Sequence, residues 1–340
     1  MIPLKTLTLS VALLAVPYLN AADHLTFQPK EGPGKGKHVV LLAGDEEYRS
    51  EEAMPMLGKI LSQRHGFKCT VLFSAEEDGT INPNKGDSLT HPESLDSADA
   101  IVMSLRFRHW KPETVARFKA AVARGIPIVG LRTSTHAFND KELGDFGKDV
   151  LGEKWVSHWG GHKTQATLGI VEKASEIEAI MHGVSDVFGT TDVYEAYPPA
   201  DAKILLRGQV LKGMTPTDAP ADSRKKRSTD KEEQGINDPM MPVAWTREVA
   251  NAAGKTNRVL CTTMGAASDL PNEGLRRLVI NGVYWGLGLD VPQKADVAFV
   301  DPFEPTFYGF KGSIPGLKVD DLDLGKPMPK AQTTAAPAAK

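Results

Sequence analysis

Cysteine is scarce in this 340-residue chain, which has only Cys69 and Cys261. Two thiols make no disulfide framework. Both stand in strand-like runs, KCTVLF and RVLCTTM, which predicts buried free thiols. An excess of charge of one sign is also missing. Forty basic against 43 acidic residues leave a net charge of -3, which argues against nucleic acid or an anionic membrane surface as partner. Beyond the N-terminus no apolar run approaches the ~20 residues that a membrane span needs. No HExxH pattern is present, and the one glycine-rich stretch that invites a nucleotide, GPGKGK, precedes a strand instead of following one. His38 stands where that loop would need Ser or Thr, so nothing calls for a cofactor. A hydrophobic content of 41% and a charged content of 24% remain those of an ordinary globular protein.

The N-terminus sets the expected location. Lys5 precedes an apolar run, Leu7 to Val16, broken only by Thr8 and Ser10; Pro17 ends it, and Asn20-Ala21-Ala22 offers a cleavage site. That order predicts a secretory signal peptide over residues 1–22, and hence export to the periplasm or beyond with no membrane anchor retained. Residues 23–37 read as a flexible leader.

From His38 strands and helices alternate. HVVLLAG is a continuous apolar run, as in a strand buried on both faces. Glu51 to His65 has helical apolar spacing and stops at Gly66. Strands are expected at 67–73, 100–105 and 126–131, with a helix from Pro112 to Arg124. This alternation predicts an α/β fold: a flavodoxin-like, doubly wound, mostly parallel sheet. Later strands are expected at 165–171, 202–211, 242–246 and 258–263, and a helix from Asn272 to Leu287. Residues 213–239 form a polar stretch predicted to be a mobile insertion within a domain spanning 38–289. Its RKKR run reads as a solvated face. Residues 290–340 form a C-terminal extension, expected to be disordered from about 326.

Ligands of such sheets bind beyond the carboxyl ends of the strands, which selects three loops. The first, Gly44-Asp45-Glu46-Glu47-Tyr48-Arg49-Ser50, crowds acids that either tune a carboxyl for proton transfer or serve the N-terminus of the following helix. The second, Arg106-Phe107-Arg108, suits sugar hydroxyls or a carboxylate. The third, Gly130-Leu131-Arg132-Thr133-Ser134-Thr135-His136, has the outline of a nucleophile elbow, yet Ser134 lacks the Gly-x-Ser-x-Gly frame. His158 and His162 in WVSHWGGH join His136 as a histidine group. They are expected to act by hydrogen bonding or proton transfer beside an aromatic wall, with no metal ligated.

The segments HVVLLAGDEEYRSEEAMPMLGKIL, VGLRTSTHAF, WVSHWGGH, NDPMMPVAW and TTMGAASDLPNEGLRRLVINGVYWGLG together resemble secreted ThuA-like (trehalose-utilisation) proteins, over about His38 to Leu289. The resemblance implies the class I glutamine-amidotransferase-like fold, with Arg132 in place of the amidotransferase cysteine, and a link to sugar catabolism through keto-disaccharides. The expected function is acid/base chemistry on a carbohydrate (isomerisation, elimination or hydrolysis), without glutaminase activity. Glu46 and His136 are the expected acid/base pair. Asp45, Tyr48, Arg106, Arg108, Arg132, Thr133, His158, Trp159 and His162 are expected to bind the substrate. A non-catalytic carbohydrate-binding domain is the alternative.

Overall fold

The computed structural model describes residues 22–311 and 313–329. The expected signal peptide, apart from its last residue, and the tail from 330 lie outside them. The strands of the first half are β1 (His24–Phe27), β2 (His38–Gly44), β3 (Lys68–Phe73), β4 (Ala100–Leu105), β5 (Ile128–Leu131), β6 (Ser157–His158) and β7 (Thr167–Val171). Those of the second half are β8 (Val187–Gly189), β9 (Tyr194–Glu195), β10 (Lys203–Val210), β11 (Arg224–Lys226), β12 (Glu233–Gly235), β13 (Met241–Ala250) and β14 (Thr256–Thr262). Three α-helices accompany them: α1 (Ser50–His65), α2 (Pro112–Ala123) and α3 (Glu273–Leu287).

Ten strands form one sheet in the order β1-β3-β2-β4-β5-β14-β13-β10-β7-β8. Its centre, β3-β2-β4-β5-β14, is parallel, as the apolar runs predict. Every residue of β2 is buried, because helices cover both faces. Val39 and Leu41 pack with α1 and α3, whereas Val40 and Leu42 pack with α2. Beyond β14 the sheet turns antiparallel through β13, β10, β7 and β8. Here the connections lack long helices: β13 reaches β14 through a tight turn in which Asn251 N–H donates to Lys255 O. Antiparallel neighbours need only such a turn, whereas parallel ones need a crossover.

Two expectations about loose segments are corrected. The leader, 23–37, contains β1, which pairs antiparallel with β3 and buries Phe27 completely. The glycines that follow it hug the end of α1: Gly34 N–H donates to His65 O, and a Cβ on Gly32 would lie 2.6 Å from the His65 backbone. Close approach, not flexibility, explains that composition. The stretch 213–239 is folded as the β11–β12 hairpin and its flanks. Ile236 and Ala221 are buried, and Asn237 exchanges hydrogen bonds with Val210 N–H, Val210 O and Ala221 O. Hydrogen bonds replace the apolar contacts that its sequence lacks. The extension after 289 packs along α1 and α3 through Val297, Phe303, Leu317 and Val319, all buried. No helix among the described residues is long and apolar enough to cross a membrane.

Candidate functional site

The parallel strands end at Gly44, Leu105, Leu131 and Thr262, and the loops leaving the first three meet on one rim. In the first loop, Asp45 is fully buried. Its Oδ1 accepts from the N–H groups of Glu47 and Tyr48 at 2.7 and 2.9 Å, and its Oδ2 accepts from the Thr133 hydroxyl. Asp45 and Thr133, expected to touch substrate, instead tie the first loop to the third. Ser50 opens α1, and its Oγ accepts from Asp45 N–H at 2.9 Å.

Glu46 emerges from this loop between two arginines. Arg106 Nη1 donates to one carboxylate oxygen and Arg108 Nη2 to the other, the latter at 3.1 Å. Burial, reinforced by the Asp45 charge, raises the Glu46 pKa above the usual carboxyl value even against these cations. Arg108 is buried beneath, donating also to Pro83 O and Ser74 Oγ. It holds Glu46 and does not reach a ligand.

The elbow geometry is kept. Arg132 directly follows β5 with φ of 46°, the left-handed conformation expected at a nucleophile position. Its guanidinium is 0% exposed and lies between the rings of Tyr194, 3.8 Å from the centroid, and Tyr48, 4.7 Å away. It donates to Asp192 O and Thr263 O at 2.7 Å and to Asp192 Oδ1 at 2.9 Å. Arg132 and Tyr48 are therefore a sealed floor, not ligand contacts as expected. His136 stands beside that floor, where burial, then Arg106, Arg132 and His158, push its pKa down to about 3. It is a neutral imidazole at any ordinary pH.

Trp159 also departs from expectation. It is 1% exposed, and its Nε1 donates to Ile236 O at 2.8 Å under the β11–β12 hairpin. The available tryptophan is Trp155, 39% exposed. From it a chain of rings runs around the site. Phe107 meets His136 at 5.1 Å, His136 meets Trp155 at 5.6 Å, and Trp155 meets His158 at 5.7 Å. His158 then meets His162 at 4.6 Å, and His162 meets Tyr308 at 5.5 Å. Two residues past Tyr308, Phe310 takes the Arg106 guanidinium at 4.9 Å from its ring, and Arg106 returns to Phe107 at 4.7 Å. The rim closes on itself.

His158 and His162 do not join His136 as a trio; they converge on Asp192, which is fully buried. Asp192 Oδ2 lies 2.8 Å from His158 Nδ1, and Oδ1 lies 3.2 Å from His162 Nδ1. His162 Nε2 faces Glu47 Oε1 at 3.1 Å. These two carboxylates push the His162 pKa up to about 9. Although burial opposes it, Arg132 and the histidines hold the Asp192 carboxyl well below its usual range. Asp192, Tyr194 and Tyr308 escape the sequence reading because they lie outside its three loops, and Tyr308 stands in the extension. Trp155 was within reach, as the first residue of WVSHWGGH, three positions before His158.

The ThuA family, described as trehalose utilisation, matches residues 38–286. A ThuA-like protein from Parabacteroides merdae superposes with a TM-score of 0.51 at 14% identity, covering 76% of this chain and 92% of that one. A ThuA-like protein from Bacteroides uniformis gives a TM-score of 0.48 at 16% identity, covering 75% and 92%. No curated protein matches the chain. The chain belongs to the ThuA family and has its class I glutamine-amidotransferase-like α/β fold.

Proposed function

We propose that this protein binds a sugar or oxidised (keto) sugar within the aromatic rim and catalyses proton transfer on it. The observation that carries the reading is the closed circuit of rings, with half-exposed Phe107 and Trp155, set around Glu46, Arg106 and His136. Rings present apolar faces to the C–H side of a pyranose, while charged donors and acceptors between them take its hydroxyls. The description of the family as trehalose utilisation agrees with a carbohydrate ligand.

Glu46 is the acid/base group: its pKa is raised toward the working range, and two arginines fix its carboxylate. His136 keeps a different role from the proton carrier expected. His136 Nδ1 lies 3.1 Å from the Thr135 hydroxyl, and in the tautomer in which Nδ1 accepts that bond the Nε2–H polarises a sugar carbonyl. Abstraction of the α-proton by Glu46 then moves the C–H electron pair into a C=C bond and the carbonyl π pair onto oxygen, giving an enediolate, the common start of isomerisation and of elimination. The signal-peptide pattern supports export of the protein. Glutaminase chemistry is excluded from this reading, because Arg132 occupies the elbow and both cysteines are buried inside β3 and β14.

The test is calorimetric binding and proton exchange with trehalose and its 3-keto form. Trp155→Ala should weaken binding at least tenfold, the order of one lost ring contact of ~1.4 kcal/mol. Glu46→Gln should retain binding and lose solvent exchange of the α-proton. Unchanged binding in Trp155→Ala would remove the saccharide reading. Retained binding with no exchange in the parent would favour the second reading, a binding domain, which the inward-facing Arg132, held by Asp192 and Thr263, also supports.

A further inference from the structure

The sequence leads one to expect hydrogen-bonding histidines, but the side chains that meet here have the composition of a metal centre. We propose that His158, His162 and Asp192 bind one divalent transition-metal ion of the zinc class, with Glu47 orienting His162 from behind. Each of the three offers a ligand atom, and these atoms all lie within 4.8 Å of one another. His158 Nδ1 now hydrogen-bonds Asp192 Oδ2 at 2.8 Å and His162 Nδ1 meets Oδ1 at 3.2 Å, separations that an ion with 2.0–2.1 Å bonds would widen only slightly, toward ~3.3 Å. Small outward movements of two partly exposed histidines would admit an ion.

The frame around the three residues is built to hold them. Ser157 and His158 pair with Glu195 and Tyr194 across β6 and β9, and Trp159 and Gly160 both donate to Val193 O, which brings His158 beside Asp192 from 34 positions away. Arg132 fixes Asp192 through Oδ1 and through its carbonyl oxygen, leaving Oδ2 toward His158. The other nitrogen of His162 meets Glu47 Oε1, which is buried and has no further hydrogen-bond partner. A carboxylate behind a ligating histidine sets its tautomer and raises its basicity. An ion would take the place of the proton that Asp192 and Glu47 now hold on His162, so binding should release a proton.

The imidazoles remain open on one side, with the His158 and His162 side chains 35% and 28% exposed. Three protein ligands and an open face are the pattern of a metal that receives a ligand, not of a closed structural site. The site adjoins the rim, since His158 and His162 are two of its rings. Polarisation of a sugar oxygen by the ion rests on the proposed function; binding of the ion does not.

The experiment is titration of chelator-treated full-length protein with Zn2+ and with Co2+, followed by calorimetry and by the visible absorption of bound Co2+. A second group on the surface, Asp23, His24 and His91, also places ligand atoms together, so the titrations are done in a His91→Ala background. One ion per chain is expected, with the intense visible band of tetrahedral Co2+. His158→Ala and His162→Ala should abolish stoichiometric binding, and Glu47→Gln should weaken it about 10–100-fold. His136→Ala should leave it unchanged. No saturable binding, or binding indifferent to both His158→Ala and His162→Ala, would overturn the assignment. Saccharide binding is measured on the same samples, so a protein that binds metal but no sugar separates this inference from the functional proposal.

Discussion

Arg132 shows what one position can do when its neighbours are reversed. The elbow holds its residue at φ 46°, a strained conformation for a side chain. Here the strain holds a guanidinium between two tyrosine rings and over Asp192. A reactive side chain would instead need an open face. Arg132→Leu should therefore destabilise the protein by about 3–5 kcal/mol, because it leaves Asp192 buried without its cation. Chemical denaturation measures this, and a loss below ~1 kcal/mol would mean that the pair is not the clamp described here. The acids that open α1 make a different kind of residue-scale statement. Burial raises the pKa of Glu51 to about 8 and that of Glu52 to about 7. The folded state thus keeps protons that the unfolded chain, with ordinary carboxyls, releases near pH 4.5. Their stabilising contribution is complete below that pH and declines as the pH rises toward 8. Glu51→Gln should match the parent melting temperature at pH 4.5 and exceed it at pH 8. A constant difference across that range would show that Glu51 titrates normally.

At the scale of elements, the β11–β12 hairpin matters most. Its sequence, rich in Lys, Glu and Asp, has few side chains that reward burial. Yet Lys225 Nζ donates to His158 O and Trp159 O, and Ile236 O receives the Trp159 indole. The hairpin roofs the segment that carries both site histidines. Replacing residues 222–235 with a short glycine linker should lower the melting temperature by well over the ~2–4 °C that 1 kcal/mol represents in a domain of this size. It should also weaken any ligand of His158. An unchanged melting curve would show that the hairpin is decoration. The strap that bears Tyr308 works in the same way from the other side: Gly309 N–H donates to Glu47 O, and Thr306 N–H to Glu52. It lies beyond the matched family region, 38–286, yet completes the rim.

For the molecule as a whole, an amidotransferase-like sheet has kept the place of its site and changed what stands there. No thiol reaches the rim, since Cys69 and Cys261 are buried and burial pushes both thiols up. Purified protein should release no ammonia from glutamine above the buffer rate. Release that disappears in a Cys69→Ser or Cys261→Ser variant would refute the proposed loss of that chemistry.

By itself the sequence determined the parallel centre and the edge of the sheet to which its following loops are delivered. Unbroken apolar runs such as HVVLLAG can be buried only between two layers of helices, and parallel strands deliver their following loops to one edge. Glu46, Arg106 and His136 were legible for that reason, as was the burial of both cysteines. Tertiary structure alone decided which polar residues are buried and which reach the rim. Asp45, Thr133 and Arg132 stand in the same loops as their neighbours but turn inward, where each finds hydrogen-bond partners. Trp159 and Trp155 differ by four positions, yet one lies under a hairpin and the other half in the open. Asp192 meets His158, 34 positions away, only because two short strands pair. Burial and pairing between distant segments are properties of the packed chain, and local pattern carries no trace of them.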